Sequence, residues 1–183
     1  MTILIGLTGY ARSGKSTVAR ILRERDDFAE ASFAAPIREM ACAILGVNLA
    51  RLDEIKSEPQ AVLGGKTPRY LMQTLGTEWG REMIDPDLWV KACMARVAGS
   101  RRYGNPVVIS DVRFPNEAEA IRKARGVIWR VVRPGTGATE HSSETSMDAI
   151  AADDTIANIG TVQLLTEGVL AALERLVAER TRR

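Results

Sequence analysis

A chain of 183 residues is long enough to bury a full core as one α/β domain. Its formal net charge of +2 excludes a general polyanion-binding surface, so no nucleic-acid polymer is expected as a partner. Hydrophobic residues make up 45% and no apolar run approaches membrane-spanning length, which fits an ordinary soluble globular protein with no membrane partner.

Of the 25 basic residues, 20 are arginine; coding bias explains most of them, so only arginines placed by a motif carry weight. Cys42 and Cys93 have neither CxxC nor metal-type spacing and read as reduced core thiols. The apolar N-terminus runs straight into a glycine loop and is no signal peptide, so a cytoplasmic location is expected.

The first predicted element is a short apolar strand, residues 2–8. Gly9-Tyr-Ala-Arg-Ser-Gly-Lys-Ser16 follows and fits the phosphate-loop pattern GxxxxGK[ST], with a helix opening at Ser16. Strand, glycine loop and helix in that order supply the context the motif needs. Such a loop curls so that backbone N–H groups converge on an anion, and the helix adds its positive end. Gly9, Ala11, Arg12, Ser13, Gly14, Lys15, Ser16 and Thr17 are therefore candidate nucleotide-binding residues. Lys15 would reach the outer phosphates and the Ser16 hydroxyl would ligate Mg²⁺.

Residues 28–32 form a weak candidate strand, and Pro36 opens a helix with Ile37, Met40, Ala41 and Ile44 at helical spacing. Residues 46–65 are polar and irregular and predict a surface excursion. Thr67-Pro68 caps the next helix, and Asp85-Pro86-Asp87 starts another running to about residue 98. Residues 106–110 form a strand without alternation, hence one buried on both faces. A helix over 115–123, a strand over 127–132, a strand near 155–157 and a helix over 162–179 complete the chain. In that last helix Val162, Leu165, Val169, Leu173 and Leu176 form an apolar stripe. This β–α alternation predicts a P-loop three-layer α/β fold, with about five parallel strands covered by helices on both faces. No linker divides the chain, which reads as one domain with insertions.

Three further features could carry chemistry. Asp111 ends the buried strand, where a P-loop protein places the acid that organises Mg²⁺; an Asp there can also simply cap a turn. Arg113 would project at the same edge. In the segment 67–81, Arg69, Gln73, Thr77 and Arg81 recur every fourth residue as a polar stripe. That stripe suits a phosphate plus a base, but spacing alone favours a solvated face, and it places Trp79 with the core unless Gly76 and Gly80 break the helix. Residues 133–146, rich in Gly, Thr and Ser, suggest a loop able to close over phosphates, with Arg133 at its base to stabilise transferring charge. The lone His141 has no partner ligands and reads as an exposed side chain.

The chain resembles the phage-type deoxynucleoside monophosphate kinases over nearly its whole length. The resemblance rests on 12–15, 67–69, 75–81, 86–89, Ser110-Asp-Val-Arg-Phe-Pro-Asn-Glu117, the His141/Ser143/Glu144 cluster, and Asn158 with Thr161. It implies transfer of the ATP γ-phosphate, with Mg²⁺, to a deoxynucleoside 5′-monophosphate. By the same resemblance Lys15, Asp111 and Arg133 would be catalytic, and Arg69, Gln73, Trp79, Arg81, Asp111, Arg113 and Glu144 would bind the acceptor. The acceptor region would span about 46–90 and the lid about 133–146, while the loop around Asn158 would flank the adenine. This favours a substrate site over a solvated face for the Arg69–Arg81 stripe and weakens the core reading of Trp79. Members of that group often carry Asp at the position of Ser16; the hydroxyl here, with Thr17 beside it, restores the ordinary metal ligand. Alternatives are a kinase of the same fold for another phosphate acceptor, such as phosphomevalonate or dephospho-coenzyme A, and a non-catalytic nucleotide-binding module. Oligomeric state stays open, related kinases commonly being homodimers.

Overall fold

Leu4, Ile5 and Leu7 have no solvent exposure, which places strand β1 (Leu4–Thr8) in the middle of the sheet. The computed structural model describes residues 2–136 and 147–182. Five parallel strands run in the order β2-β3-β1-β4-β5, with β2 Ala29–Ala31, β3 Val107–Ile109, β4 Val127–Val132 and β5 Asp154–Ala157. Parallel neighbours need crossovers, and helices supply them.

The pleat sorts side chains onto two covered faces. On one, Ile5, Leu7, Trp129 and Val131 join Val18 and Leu22 of helix α1 (Lys15–Asp26) and Leu165, Val169 and Leu173 of the C-terminal helix α7 (Val162–Thr181). On the other, Gly6 lies so close to α6 (Pro115–Lys123) that an added Cβ would meet Ile121 Cδ1 at 2.6 Å. The expected three-layer α/β arrangement is the one found.

The chain separates into two compact units, residues 1–32 with 96–183, and residues 33–95. The first holds the sheet. The second contains α2 (Ala35–Leu45), α3 (Leu49–Ile55), a 3₁₀ turn at Ala61–Leu63, and α4 (Pro68–Thr74), which continues as a π-helix over Leu75–Ile84. Helix α5 (Leu88–Arg102) leads back to β3. Among the described residues no helix is long and apolar enough to cross a membrane.

Four local readings need correction. Within 46–65 a two-turn helix, α3, forms because Asn48 Oδ1 accepts from Arg51 N at 2.8 Å while Leu52 and Ile55 are buried. Arg38 of α2 then grips Asp53 through two bonds of 3.0 and 2.8 Å, holding that carboxyl below its ordinary pKa. Neither Gly76 nor Gly80 breaks the helix; both are buried, and the turn widens to i→i+5 bonding instead. The ring of Trp89 fills the room they leave. Its Nε1 donates to Gly76 O at 2.8 Å, and a Cβ on Gly80 would sit 2.4 Å from Cζ2. Trp79 is therefore not a core residue: it is 38% exposed, with its ring tilted 42° to Trp89 at 6.1 Å. Val162 leaves the apolar stripe of α7 at 56% exposure, because it starts the helix beyond the sheet's cover. Cys93 is buried and Cys42 half-buried, both as free thiols.

Candidate active site

Beyond Thr8 the chain must turn sharply, and glycine permits it. Gly9 has φ 138°, and a Cβ there would stand 2.3 Å from the Val131 carbonyl oxygen. Arg12 (φ 64°) and Gly14 (φ 108°) are also left-handed, so the loop curls back on itself before α1 begins. Ser13 N donates to Tyr10 O at 3.2 Å inside the curl. Gly14 occupies the cap position of α1 with no side-chain cap bond, and the first turn carries no acid. The helix end thus keeps its positive field and its N–H donors for an anion. Ser16 is exposed at that turn and Thr17 half-buried behind it, while Ala11 and Arg12 are exposed and Ser13 is buried. The Lys15 ammonium donates to Gly9 O at 2.5 Å and Tyr10 O at 2.8 Å.

Strand β3 lies beside β1 in register Gly6↔Ile109, so the chain leaving β3 arrives next to the loop. Val112 N donates to Leu7 O at 3.0 Å and fixes that approach. The result is a cleft of about 190 Å³ lined by Arg12, Gly14, Lys15, Ser16, Ser110, Asp111 and Arg113. Three cationic side chains, two hydroxyls and one carboxylate beside a helix N-terminus suit a phosphate chain with a hard cation.

Three supporting residues escaped sequence reasoning in these roles. Ser32, at the end of β2, donates its hydroxyl to Asp111 Oδ2 at 2.7 Å. Glu117, 2% exposed, accepts from Arg113 N at 2.7 Å and Phe114 N at 3.1 Å, tying down the chain that bears Asp111 and Arg113. Asn158, expected near adenine, donates Nδ2–H to Ser13 O at 2.9 Å. The Glu117 bond has a sequence signal, since an acid three residues into a helix that opens with Pro115 often accepts from N-terminal N–H groups. The other two join residues 79 and 145 positions apart and leave no local trace. Thr8 Oγ1 and Ser13 Oγ are buried with no hydrogen-bond partner among the described residues.

Arg133 is exposed at the end of β4, and Thr136 Oγ1 donates to its carbonyl at 2.7 Å. His141, Ser143, Glu144 and most of the expected lid lie outside the described residues. In the second unit, Arg69, Gln73 and Thr77 are exposed, and Arg81 is half-buried with Nη1 donating to Pro86 O at 3.3 Å. The π-turn between Gln73 and Arg81 means that a repeat of four does not continue an α-helical stripe across them. Thr67 Oγ1 accepts from Tyr70 N at 3.2 Å, capping the helix that carries Arg69.

A parallel sheet with a glycine loop at its central strand and an acid at the end of the neighbouring one is the layout of a P-loop nucleotide-binding fold. Residues 46–169 match the model of the family described as deoxynucleotide monophosphate kinase. A protein of Acanthamoeba polyphaga mimivirus named putative deoxynucleotide monophosphate kinase is 34% identical, covering 84% of this chain and 86% of its own. The deoxynucleoside-5′-monophosphate kinase of Escherichia phage T5 is 26% identical over 67% of this chain and 73% of its own. Among solved structures, dephospho-CoA kinase from Campylobacter jejuni shares the fold, with a TM-score of 0.53, 12% identity, and coverage of 95% of this chain and 97% of that one. The chain belongs to the deoxynucleotide monophosphate kinase family and is a kinase of the nucleoside monophosphate class.

Proposed function

We propose that this enzyme transfers the γ-phosphate of ATP to deoxynucleoside 5′-monophosphates, giving the diphosphates, with Mg²⁺ as the metal, in the cytoplasm. The observation that carries the reading is the cleft in which Lys15 and Ser16 of a phosphate loop meet Asp111 and Arg113, in a chain of this family. The loop N–H groups and Lys15 bind the donor's phosphates. Ser16 Oγ and the Asp111 carboxylate are the hard oxygen donors that would hold Mg²⁺, which would supply charge neutralisation to the phosphates. Two protein oxygens fit such a site, since phosphate and water would supply the remaining ligands.

Ser32 donates its hydroxyl to Asp111 Oδ2 at 2.7 Å and so helps to orient that carboxylate. Arg113 supplies a cation at the same rim, and exposed Arg133, just past β4, supplies a second. Arg69 and Arg81 bind the acceptor's phosphate, Gln73 hydrogen-bonds its base, and exposed Trp79 offers a ring against that base. No covalent intermediate is required: an acceptor phosphate oxygen bonds to the γ-phosphorus as the bond to the β,γ-bridging oxygen breaks and ADP leaves, and catalysis is positioning plus charge neutralisation.

The test is a panel of acceptors with ATP and Mg²⁺, scored by ADP formation. Deoxynucleoside monophosphates should each be compared with phosphomevalonate and dephospho-coenzyme A. Turnover with a deoxynucleotide and none with the other two supports the reading; ADP formation no faster than without acceptor overturns it.

A further inference from the structure

The phosphate loop is held in an unfavourable shape. Arg12 carries a side chain at φ 64°, a left-handed conformation unfavourable for a non-glycine residue. Such a residue persists where its surroundings over-determine it. One of those surroundings comes from far along the chain. Asn158 sits just beyond β5, its own N–H donates to Val132 O at 2.8 Å, and its side-chain Nδ2 donates to Ser13 O at 2.9 Å. The amide packs flush on the next residue, since a Cβ at Gly14 would lie 2.6 Å from Nδ2.

The consequence follows from peptide geometry. In a trans peptide the C=O of Ser13 and the N–H of Gly14 point in opposite directions. Drawing the carbonyl toward Asn158 aims the Gly14 N–H away from it, on the side where Gly14 lines the cleft with Lys15 and Ser16. A hydrogen bond to the carbonyl also polarises the N–H of the same peptide and strengthens it as a donor to an anion.

We propose that the Asn158 side chain is a positioning residue for the phosphate cradle and not a contact to the nucleotide base. The assignment rests on the donor-site reading above and refines it. It makes a prediction that a base contact does not: removing the amide weakens binding of a bare phosphate chain as much as binding of ATP.

Titration calorimetry with Mg²⁺-ATP and with Mg²⁺-tripolyphosphate tests this on the wild-type protein, Asn158→Ala and Asn158→Asp. Asn158→Ala should weaken both ligands by about tenfold and leave their affinity ratio within about twofold of wild type. Asn158→Asp, which sets an acceptor against the Ser13 carbonyl, should weaken both further. A loss confined to ATP, or no loss for either ligand, overturns the proposal. In the wild-type protein without nucleotide, a scalar coupling across the Asn158 Nδ2–H···O=C Ser13 bond should be detected by NMR; its absence overturns the proposal even if neither variant folds. Wild-type protein that binds neither ligand contradicts the donor-site reading itself, and the proposal falls with it.

Discussion

Replacing Glu117 should loosen the active site from underneath. Its carboxylate is 2% exposed and accepts two backbone N–H groups, Arg113 at 2.7 Å and Phe114 at 3.1 Å. A hydrogen bond to a charged group contributes about 1.5–3 kcal/mol net. Glu117→Ala removes both and leaves a small void, so unfolding free energy should fall by about 3–5 kcal/mol. Both N–H groups meet the same oxygen, Oε2, so Glu117→Gln keeps both bonds through its amide oxygen, loses their charge assistance, and should cost about 1–2 kcal/mol. Urea unfolding followed by circular dichroism measures both. The same variants separate a tether from mere packing in steady-state kinetics at low temperature, where the folded fraction stays high. Asp111 and Arg113 leave the β3 edge on the chain that Glu117 holds, so kcat for Glu117→Gln should drop by about tenfold, with KM for ATP changing less than about threefold. A stability loss below about 1 kcal/mol for Glu117→Ala would show that these two bonds are not formed in solution.

Lys15→Ala should lower kcat by about a thousandfold while leaving the thermal midpoint within a few degrees, because its bonds to the Gly9 and Tyr10 carbonyls are local to the loop; near-normal turnover sinks its role. Arg69→Ala and Arg81→Ala should each raise KM for the deoxynucleotide by about tenfold or more and KM for ATP much less, and equal effects on both substrates would point to a structural role. Gly80→Ala drives a methyl group into the Trp89 ring and should destabilise by about 1–3 kcal/mol in urea unfolding; a neutral result would contradict the π-helical packing. For Asp53, the Arg38 hydrogen bond lowers the folded-state pKa below the unfolded one, so its stabilisation is present above the unfolded pKa and lost as pH falls through the folded pKa. Asp53→Asn should therefore cost up to about 1 kcal/mol at pH 7 and progressively less in acid, the pair being largely exposed; a gap that widens toward low pH contradicts this.

What the sequence made legible follows from the range of each interaction. The phosphate loop, β3 and the helix after Pro115 are each specified by neighbours within a few positions, and all appear as expected. Helix α3 was hidden because its signals, one Asn cap and two buried apolar residues, are sparse in a polar stretch. The π-helix was hidden for a different reason: pattern reading assumes a turn of fixed width, and the width here is set by the Trp89 ring packed on Gly76 and Gly80. That ring is buried, while Trp79, which helical spacing alone placed with the core, is exposed. In the site, the groups that line the cleft were readable, while those that hold them were less so. Ser32 and Asn158 act through single bonds across the strand order β2-β3-β1-β4-β5, an order the sequence alone does not state.

The most direct test of the account is isotopic. Incubation with γ-labelled ATP, Mg²⁺ and a deoxynucleoside monophosphate should move the label to the β-position of the deoxynucleoside diphosphate, one label per ADP formed. Label appearing as inorganic phosphate, with no labelled diphosphate, would contradict the central claim.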